Sequence, residues 1–164
     1  MKRFGFTMIE LVFIIVILGI LAAVAFPKLA PLIEDADLAK AKGDVASIRA
    51  SISSARQKSL VQGSSAYPPL LDDAGASASS NESIFDGNAT NPILMYPLYA
   101  KNSSGKWRKT GLRQYTFKIS TTDIAFTYYP TKTTVSGVVH SAGQFDCNHT
   151  GTTQSAIYCR HIAE

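Results

Sequence analysis

Glu10 is the residue whose type and setting point most clearly to a chemical role. It is a carboxylate at the edge of an apolar stretch, and from Leu11 to Phe26 every residue is apolar or glycine. A carboxylate costs about 2.5–3.5 kcal/mol at the centre of a membrane helix, so an acid in such a segment usually has a partner and a function. We therefore expect Glu10 to pair with a positive charge.

The apolar stretch itself is long enough to cross a membrane. Residues 6–26, taken as a helix rising about 1.5 Å per residue, span about 31 Å, which is close to the thickness of the bilayer hydrocarbon. Lys2 and Arg3 precede the stretch and no basic residue follows before Lys28. This asymmetry favours a cytoplasmic N-terminus and export of the rest of the chain. Two alternatives stay open: a buried core helix, and a secretory signal peptide cut after Ala25.

Several features of residues 1–31 fall together in one known motif. They are a short basic leader, a glycine followed by phenylalanine, an acid at the fifth position after that glycine, and the apolar run. In this respect the chain closely resembles the N-terminal processing motif of type IV pilins and type II secretion pseudopilins. The resemblance implies cleavage between Gly5 and Phe6 by prepilin peptidase, N-methylation of Phe6, an assembly role for Glu10 and a helix kink at Pro27.

Such a cleavage would create the positive charge that Glu10 requires. The new α-amine of Phe6 and the Glu10 carboxylate would be opposite charges in a nearly dry environment, and pairing relieves both. Pairing with the amine of a neighbouring copy would set the axial stagger between subunits, and we favour this self-assembly. Pairing with the amine of its own chain is the alternative for the unassembled protein.

A helix pattern of water-soluble type follows the apolar stretch. Apolar residues recur at spacings of three and four from Leu38 to Ala55, with charged residues on the other faces, which is typical of an amphipathic helix. We expect it to continue the membrane helix to about residue 62. The predicted organisation is a leader at 1–5, a transmembrane assembly helix at 6–30, an amphipathic helix at 31–62 and a globular head at 63–164.

Alternating strand patterns dominate the middle of the predicted head. Apolar and polar residues alternate in 114–120 and again in 124–129, which predicts two strands of a hairpin. We expect a variable surface loop at 63–92, an antiparallel sheet at 93–140 and a disulfide-bounded C-terminal region at 141–164. A sheet laid across the amphipathic helix buries both apolar faces, so the predicted fold class is α+β, with the pilin-like order that the resemblance implies.

Cys147 and Cys159 are the only cysteines, and the predicted topology places both in an oxidising compartment. One disulfide is the simplest outcome, and a C-terminal disulfide is usual in type IV pilins and uncommon in major pseudopilins. The doubled Cys-x-His pattern, with His149 and His161, would also offer two thiolates and two imidazoles to zinc. Because the ligand spacing is unusually tight and oxidation removes the thiolates, we favour the disulfide and expect no metal.

One stretch of the head is rich in basic residues, since no acid occurs between Asp86 and Asp123. Basic residues interleaved with aromatic residues suit single-stranded nucleic acid or another polyanion. The simpler interpretation is a sheet whose charged side faces water or a neighbouring subunit. The residues of this candidate polyanion contact are Lys106, Trp107, Arg108, Lys109 and Arg113.

Two short patterns fit a bacterial glycosylation sequon that has an acid two residues before the asparagine. They centre on Asn88 and Asn148. Patterns of this length also arise by chance, so they are hypotheses that an intact mass would test.

The sequence predicts a structural protein and not an enzyme. It contains no glycine-rich phosphate loop, no nucleophile elbow and no zinc-protease helix motif, and no cofactor is expected. The resemblance implies a prepilin of a bacterial type IV pilus-like filament, with a pseudopilin of type II secretion as the alternative. A soluble periplasmic binding protein with a cleaved signal peptide is a third interpretation.

The same resemblance predicts partners and location. The expected partners are copies of the chain and other pilin-like subunits, prepilin peptidase, an inner-membrane assembly platform and the lipid bilayer. DNA is a further candidate that comes from the basic stretch, where a solvated face of the sheet is the simpler interpretation. The expected location is the bacterial inner membrane, with a periplasmic head, and then an extracellular pilus or a periplasmic pseudopilus.

Overall fold

The computed structural model describes residues 5–87 and 92–163. The chain divides into two compact units, residues 1–36 and residues 37–164. The elements in chain order are helix α1 (Met8–Val61), strands β1 (Ser83–Ile84), β2 (Leu98–Tyr99), β3 (Trp107–Gly111), β4 (Gln114–Ile119), β5 (Thr122–Tyr129), β6 (Thr133–Val135), β7 (Val138–His140) and β8 (Gln144–Cys147), and helix α2 (Gln154–Ala163).

Helix α1 is continuous through Pro27 and Pro31, although each proline lacks the N–H that would bond to the preceding turn. Gly63 follows the end of the helix with a φ of 84°, a left-handed conformation that glycine adopts without strain. The long N-terminal helix predicted over residues 6–62 is confirmed. The kink predicted at Pro27 stays a prediction.

The main sheet of the head has four antiparallel strands in the order β3-β4-β5-β8. Strands β3, β4 and β5 form a meander in which Tyr115 lies opposite Phe126. Strand β8 returns to pair with β5, which places Phe145 opposite Tyr128. Cross-strand partners share a face of a sheet, and all four of these side chains are buried. The alternation predicted for β4 and β5 therefore identifies the buried face of the sheet, which we call its inner face.

The inner face of the sheet and residues 37–61 of α1 form one hydrophobic core. Trp107 Nε1 donates a 2.9 Å hydrogen bond to Asp44 Oδ2 on the helix. Arg49 Nε donates a 3.0 Å bond to the carbonyl oxygen of Phe145. These bonds fix the helix against both outer strands of the main sheet. The helix residues of the core are each at most 1% exposed, and they are Ala41, Val45, Ile48 and Ile52.

A cluster of aromatic rings occupies the middle of this core. Phe85 stacks on Tyr115 with ring centroids 4.3 Å apart and meets Trp107 edge-on at 5.4 Å. Phe126 and Phe145 stack at 5.3 Å. Phe85 has a φ of 59°, which is costly for a residue with a side chain. Complete burial of its ring offsets that cost.

The segment 63–92 is more than the surface loop that the sequence predicts. Leu71, Ile84 and Phe85 from this segment belong to the hydrophobic core. The short strand β1 within it pairs with β2, and the partners are Ser83 with Tyr99 and Ile84 with Leu98. Isolated apolar residues in a polar segment carry no periodic signal, so the sequence pattern does not reveal that they are buried.

The C-terminal part of the head also differs from the expectation. Residues 133–140 form a separate hairpin of β6 and β7, because Ser136 and Gly137 both have positive φ and make a tight turn. The main sheet extends beyond residue 140, where the sequence-based division ends it, because β8 pairs with β5. Helix α2 was not predicted. The α+β class is nevertheless confirmed, with a long N-terminal helix, antiparallel sheets and a C-terminal disulfide.

Candidate assembly site

Large apolar side chains cover the N-terminal part of α1 on every side. From Met8 to Phe26 each of them is between 41% and 85% exposed. An 18-residue window of this helix has a mean hydropathy of 3.0, and none of it is buried. Among the described residues, α1 is the only helix long and apolar enough to cross a membrane. This exposure does not fit a buried core helix, whereas it suits lipid or the apolar surfaces of other helices.

Thr7 and Glu10 form a capping box at the start of α1. The backbone N–H and the hydroxyl of Thr7 donate to Glu10 Oε2 at 2.9 Å and 2.7 Å, and the Glu10 N–H donates back to Thr7 Oγ1 at 3.3 Å. This reciprocal pattern satisfies N–H groups that have no partner within the helix. The spacing Thr-x-x-Glu is visible in the sequence, but we did not predict this capping box, because Glu10 was considered only as a charge that needs a partner.

Both bonds to Glu10 use the same oxygen. The other oxygen, Oε1, accepts no hydrogen bond from any residue in the described part of the chain. An ionised carboxylate offers about four lone-pair sites. Glu10 can therefore keep its capping bonds and still accept a donor from outside the helix.

Gly5 and Phe6 precede the helix in non-helical backbone. A Cβ added at Gly5 would meet nothing within 4 Å. Packing among the described residues therefore gives no reason for a glycine there. Phe6 is 76% exposed, so both sides of the Gly5–Phe6 peptide bond are open to another molecule.

The cysteines of the head are joined in a disulfide. Cys147 ends strand β8 and Cys159 lies in α2, with 5.9 Å between their Cα atoms. Thr153 Oγ1 accepts a 3.3 Å bond from the Ala156 N–H at the start of α2, which is a helix cap. The disulfide thus attaches a capped C-terminal helix to the edge of the main sheet.

A zinc site at the doubled Cys-x-His pattern does not agree with this bonding. Asp146, Cys147 and Cys159 have potential ligand atoms within 4.8 Å of one another. Both sulfurs are consumed by the disulfide, so neither is a thiolate ligand. His149 and His161 are exposed.

The basic stretch of the head is divided between the two faces of the sheet. Strand alternation turns Trp107 and Lys109 inward, and each is only 2% exposed. The predicted polyanion contact is therefore wrong for these two residues. Arg108 pairs with Asp123 at 3.2 Å on the outer face. Lys106 and Arg113 are exposed, and Arg113 Nε donates to the carbonyl oxygen of Pro69 at 3.0 Å.

Lys109 belongs to a buried polar cluster. Its ammonium group bonds to the Asp72 carboxylate and to the carbonyl oxygen of Ala74. The Tyr115 hydroxyl donates to the other oxygen of Asp72 at 2.7 Å. Burial raises the pKa of Tyr115 well above its ordinary value of 10.0, and the Asp72 carboxylate raises it further. The ammonium group, the carboxylate and the hydroxyl thus satisfy one another's hydrogen bonds inside the head.

Asn148, one of the two predicted glycosylation sites, is exposed and lies in a local turn. Its side-chain oxygen accepts bonds from the Thr150 N–H at 3.0 Å and from the Thr150 hydroxyl at 2.6 Å. Asp146, the acid of the pattern, accepts a bond from Gln144 at 2.9 Å. Asn88 lies outside the described residues. Modification at both positions stays a prediction.

Comparison with known proteins identifies the class of the N-terminal segment. A family model described as the prokaryotic N-terminal methylation motif matches residues 1–26. This is the prepilin-type motif of type IV pilins and pseudopilins. No curated protein and no solved structure matches the chain. The motif supports a pilin-like or pseudopilin-like role and points to a structural subunit that associates with other such subunits and is anchored in a membrane by one apolar helix.

Proposed function

We propose that the chain is a prepilin whose mature form polymerises through the apolar part of α1 into a type IV pilus-like filament. The observation that carries this proposal is a carboxylate whose second oxygen has no donor among the described residues, at the start of the exposed apolar part of α1. Lipid or neighbouring helices cover the apolar side chains, whereas a cationic donor at Glu10 Oε1 would both complete its hydrogen bonding and neutralise its charge.

Processing supplies that donor. Prepilin peptidase removes residues 1–5 by hydrolysing the Gly5–Phe6 bond, and the new α-amine of Phe6 is methylated and stays cationic. In the filament this amine pairs with Glu10 of an adjacent copy. The pairing offsets the cost of placing both charges among apolar helices and fixes how far one subunit is displaced along its neighbour.

The proposal also assigns a place to each part of the chain. Residues 6–30 cross the inner membrane before assembly, with the N-terminus in the cytoplasm. Residues 31–62 continue as the helix of the head, and residues 63–164 complete a head that lies in the periplasm. The assembly platform in the inner membrane then moves the subunit from the bilayer into the filament.

The N-terminus of the mature protein tests the cleavage. N-terminal sequencing and intact mass are expected to give a methylated Phe6 as the first residue. Gly5→Val is expected to block the cut without affecting the fold, because a Cβ at this position would meet none of the described residues within 4 Å. A mature protein that begins at Phe26 would instead identify a signal peptide and a soluble periplasmic protein.

Glu10→Gln tests the assembly step with little change in shape. Glutamine also completes a capping box, so the helix start is preserved while the charge is lost. Filaments are expected to disappear while the processed subunit still accumulates in the membrane. Assembly of Glu10→Gln at the parental level would contradict the proposal.

A pseudopilin of type II secretion has the same N-terminal chemistry. The C-terminal disulfide favours the pilus, because such a disulfide is usual in type IV pilins and uncommon in major pseudopilins. Loss of surface filaments on deletion of the gene supports the pilus assignment. Loss of exported enzymes with filaments intact would assign the chain to secretion.

A further inference from the structure

One cavity in the head brings together positive charges from three distant parts of the sequence. Arg56 lies on α1, Arg113 lies in the connection between β3 and β4, and Lys132 follows β5. They line one cavity of about 490 Å³. Every other described residue that lines it is uncharged, including Tyr67, Pro69 and Pro130.

Arg56 is half-buried, and the described residues that contact its guanidinium are neutral. Its guanidinium lies 4.4 Å from the centre of the Tyr67 ring, and Nη1 donates a 2.7 Å bond to the Tyr67 hydroxyl. Its buried Nε has no acceptor within the part of the chain that the structure describes. A buried donor without an acceptor and a cation without a counter-charge both cost free energy.

The positive charges of Arg113 and Lys132 also lack a counter-charge among the described residues. Arg113 uses Nε to donate to the Pro69 carbonyl, so the outer edge of its guanidinium remains open. Lys132 is exposed. Within the described residues, none of the three cations forms an ion pair, whereas Arg49, Arg108 and Lys109 each do.

The Tyr67 ring, which contacts the Arg56 guanidinium, is held in place by the backbone of Gly143. Gly143 has a φ of 80°, and a Cβ at this position would lie 2.1 Å from the Tyr67 ring. The backbone of Gly143 therefore packs against one side of the region around Tyr67 and leaves no room for a side chain. A binding group that is already positioned loses less entropy when the ligand arrives.

We propose that this cavity binds a phosphate group, either free or as an ester on a larger molecule. A phosphate monoester carries about −1.5 to −2 charges near neutral pH, which matches three cations better than the single charge of a carboxylate. Two arginine forks also suit the several oxygens of phosphate. The proposal does not depend on filament assembly, because no residue of the apolar part of α1 lines the cavity.

Titration of the full chain in non-ionic detergent micelles tests the proposal. The probes are inorganic phosphate, glycerol 3-phosphate and a short thymidine oligonucleotide, each at constant ionic strength and followed by calorimetry. Saturable binding of at least one probe is expected, and the probe that binds most tightly identifies a free anion, a monoester or a phosphodiester. Absence of saturable binding for all three would overturn the proposal.

Matched variants separate this site from general charge attraction. Arg113→Gln is expected to raise Kd by at least about tenfold, because it removes hydrogen bonds to an ionised group. Arg113→Lys is expected to weaken binding less, since it keeps the charge but loses the fork. Lys101→Gln removes an exposed charge outside the cavity and is expected to leave Kd within about twofold. Equal losses in Arg113→Gln and Lys101→Gln would overturn the proposal.

Discussion

Lys109 and Asp72 form an ion pair in which neither side chain is exposed to solvent. Lys109 lies on β3, one of the two edge strands of the main sheet, and Asp72 lies in the segment between α1 and β1. A charge placed at this depth is stable only with its partner. The pair therefore fixes a long irregular segment to the sheet and lets Leu71 and Phe85 reach the core.

We predict that Lys109→Met destabilises the head far more than the neighbouring Arg108→Met. Loss of Lys109 leaves the Asp72 carboxylate buried without a counter-charge, which costs about 3–5 kcal/mol. Arg108 and Asp123 form an exposed pair, whose loss costs about 0–1 kcal/mol. Denaturant unfolding of the full chain in micelles measures both. Similar free energies of unfolding for the two variants would contradict the buried-pair assignment.

We predict that replacing both cysteines by serine lowers the free energy of unfolding by about 3 kcal/mol. Removal of the cross-link restores the entropy of a short loop in the unfolded chain. Thermal unfolding with and without a reductant measures the effect. The reductant is expected to lower the Tm of the parent protein and to leave that of the serine variant unchanged, which serves as the control.

We predict that the head loses stability as the pH rises above about 10. Burial raises the pKa of Tyr115 and of Tyr128 above the ordinary value of 10.0, so the native state keeps protons that the unfolded state releases. Stability is then complete below pH 10 and falls by about 1.4 kcal/mol per pH unit for each tyrosine. Unfolding as a function of pH measures this slope.

A pair of tyrosine variants identifies the source of this dependence. Tyr115→Phe is expected to make the decline above pH 10 shallower, whatever its effect on stability at neutral pH. Tyr99 is 60% exposed, and Tyr99→Phe is expected to retain the parental slope. Identical slopes in all three proteins would contradict the prediction.

We predict that Thr7→Val reduces filament yield only partly. Valine removes the hydroxyl that caps α1, at a cost of about 1 kcal/mol, but leaves the Glu10 charge in place. Electron microscopy of filaments from Thr7→Val and Glu10→Gln compares the loss of helix capping with the loss of the Glu10 charge. If Thr7→Val abolished filaments as completely as Glu10→Gln, helix capping would explain the importance of this site and charge pairing would not.

Regular patterns made most of the fold predictable. The apolar run, the three-and-four spacing around Val45 and the alternation around Phe117 each repeat over many residues, so α1, β4 and β5 follow from sequence. Helix α2 carries a weaker signal. Ala156, Cys159 and Ile162 are buried at a spacing of three, but one short turn-rich segment gives too few repeats for a reliable prediction.

The polar clusters were not predictable from local sequence. Asp72 and Lys109 are 37 residues apart, and a pattern search does not show which acid faces which base. The cavity around Arg56 and Lys132 depends in the same way on three segments that only the folded chain brings together. The capping box of Thr7 and Glu10 is different, because its spacing is local and the sequence alone contains the signal.

Residues 5–7 are not helical, and α1 begins only at Met8. Proteolytic enzymes need an open backbone at the bond they cut, and the Gly5–Phe6 bond already has one. The three capping bonds between Thr7 and Glu10 lie downstream of this bond, so among the described residues removal of the leader would leave the start of the helix intact. The proposed cleavage would therefore require no local unfolding of α1, and the cleaved chain would keep the capped start of its helix.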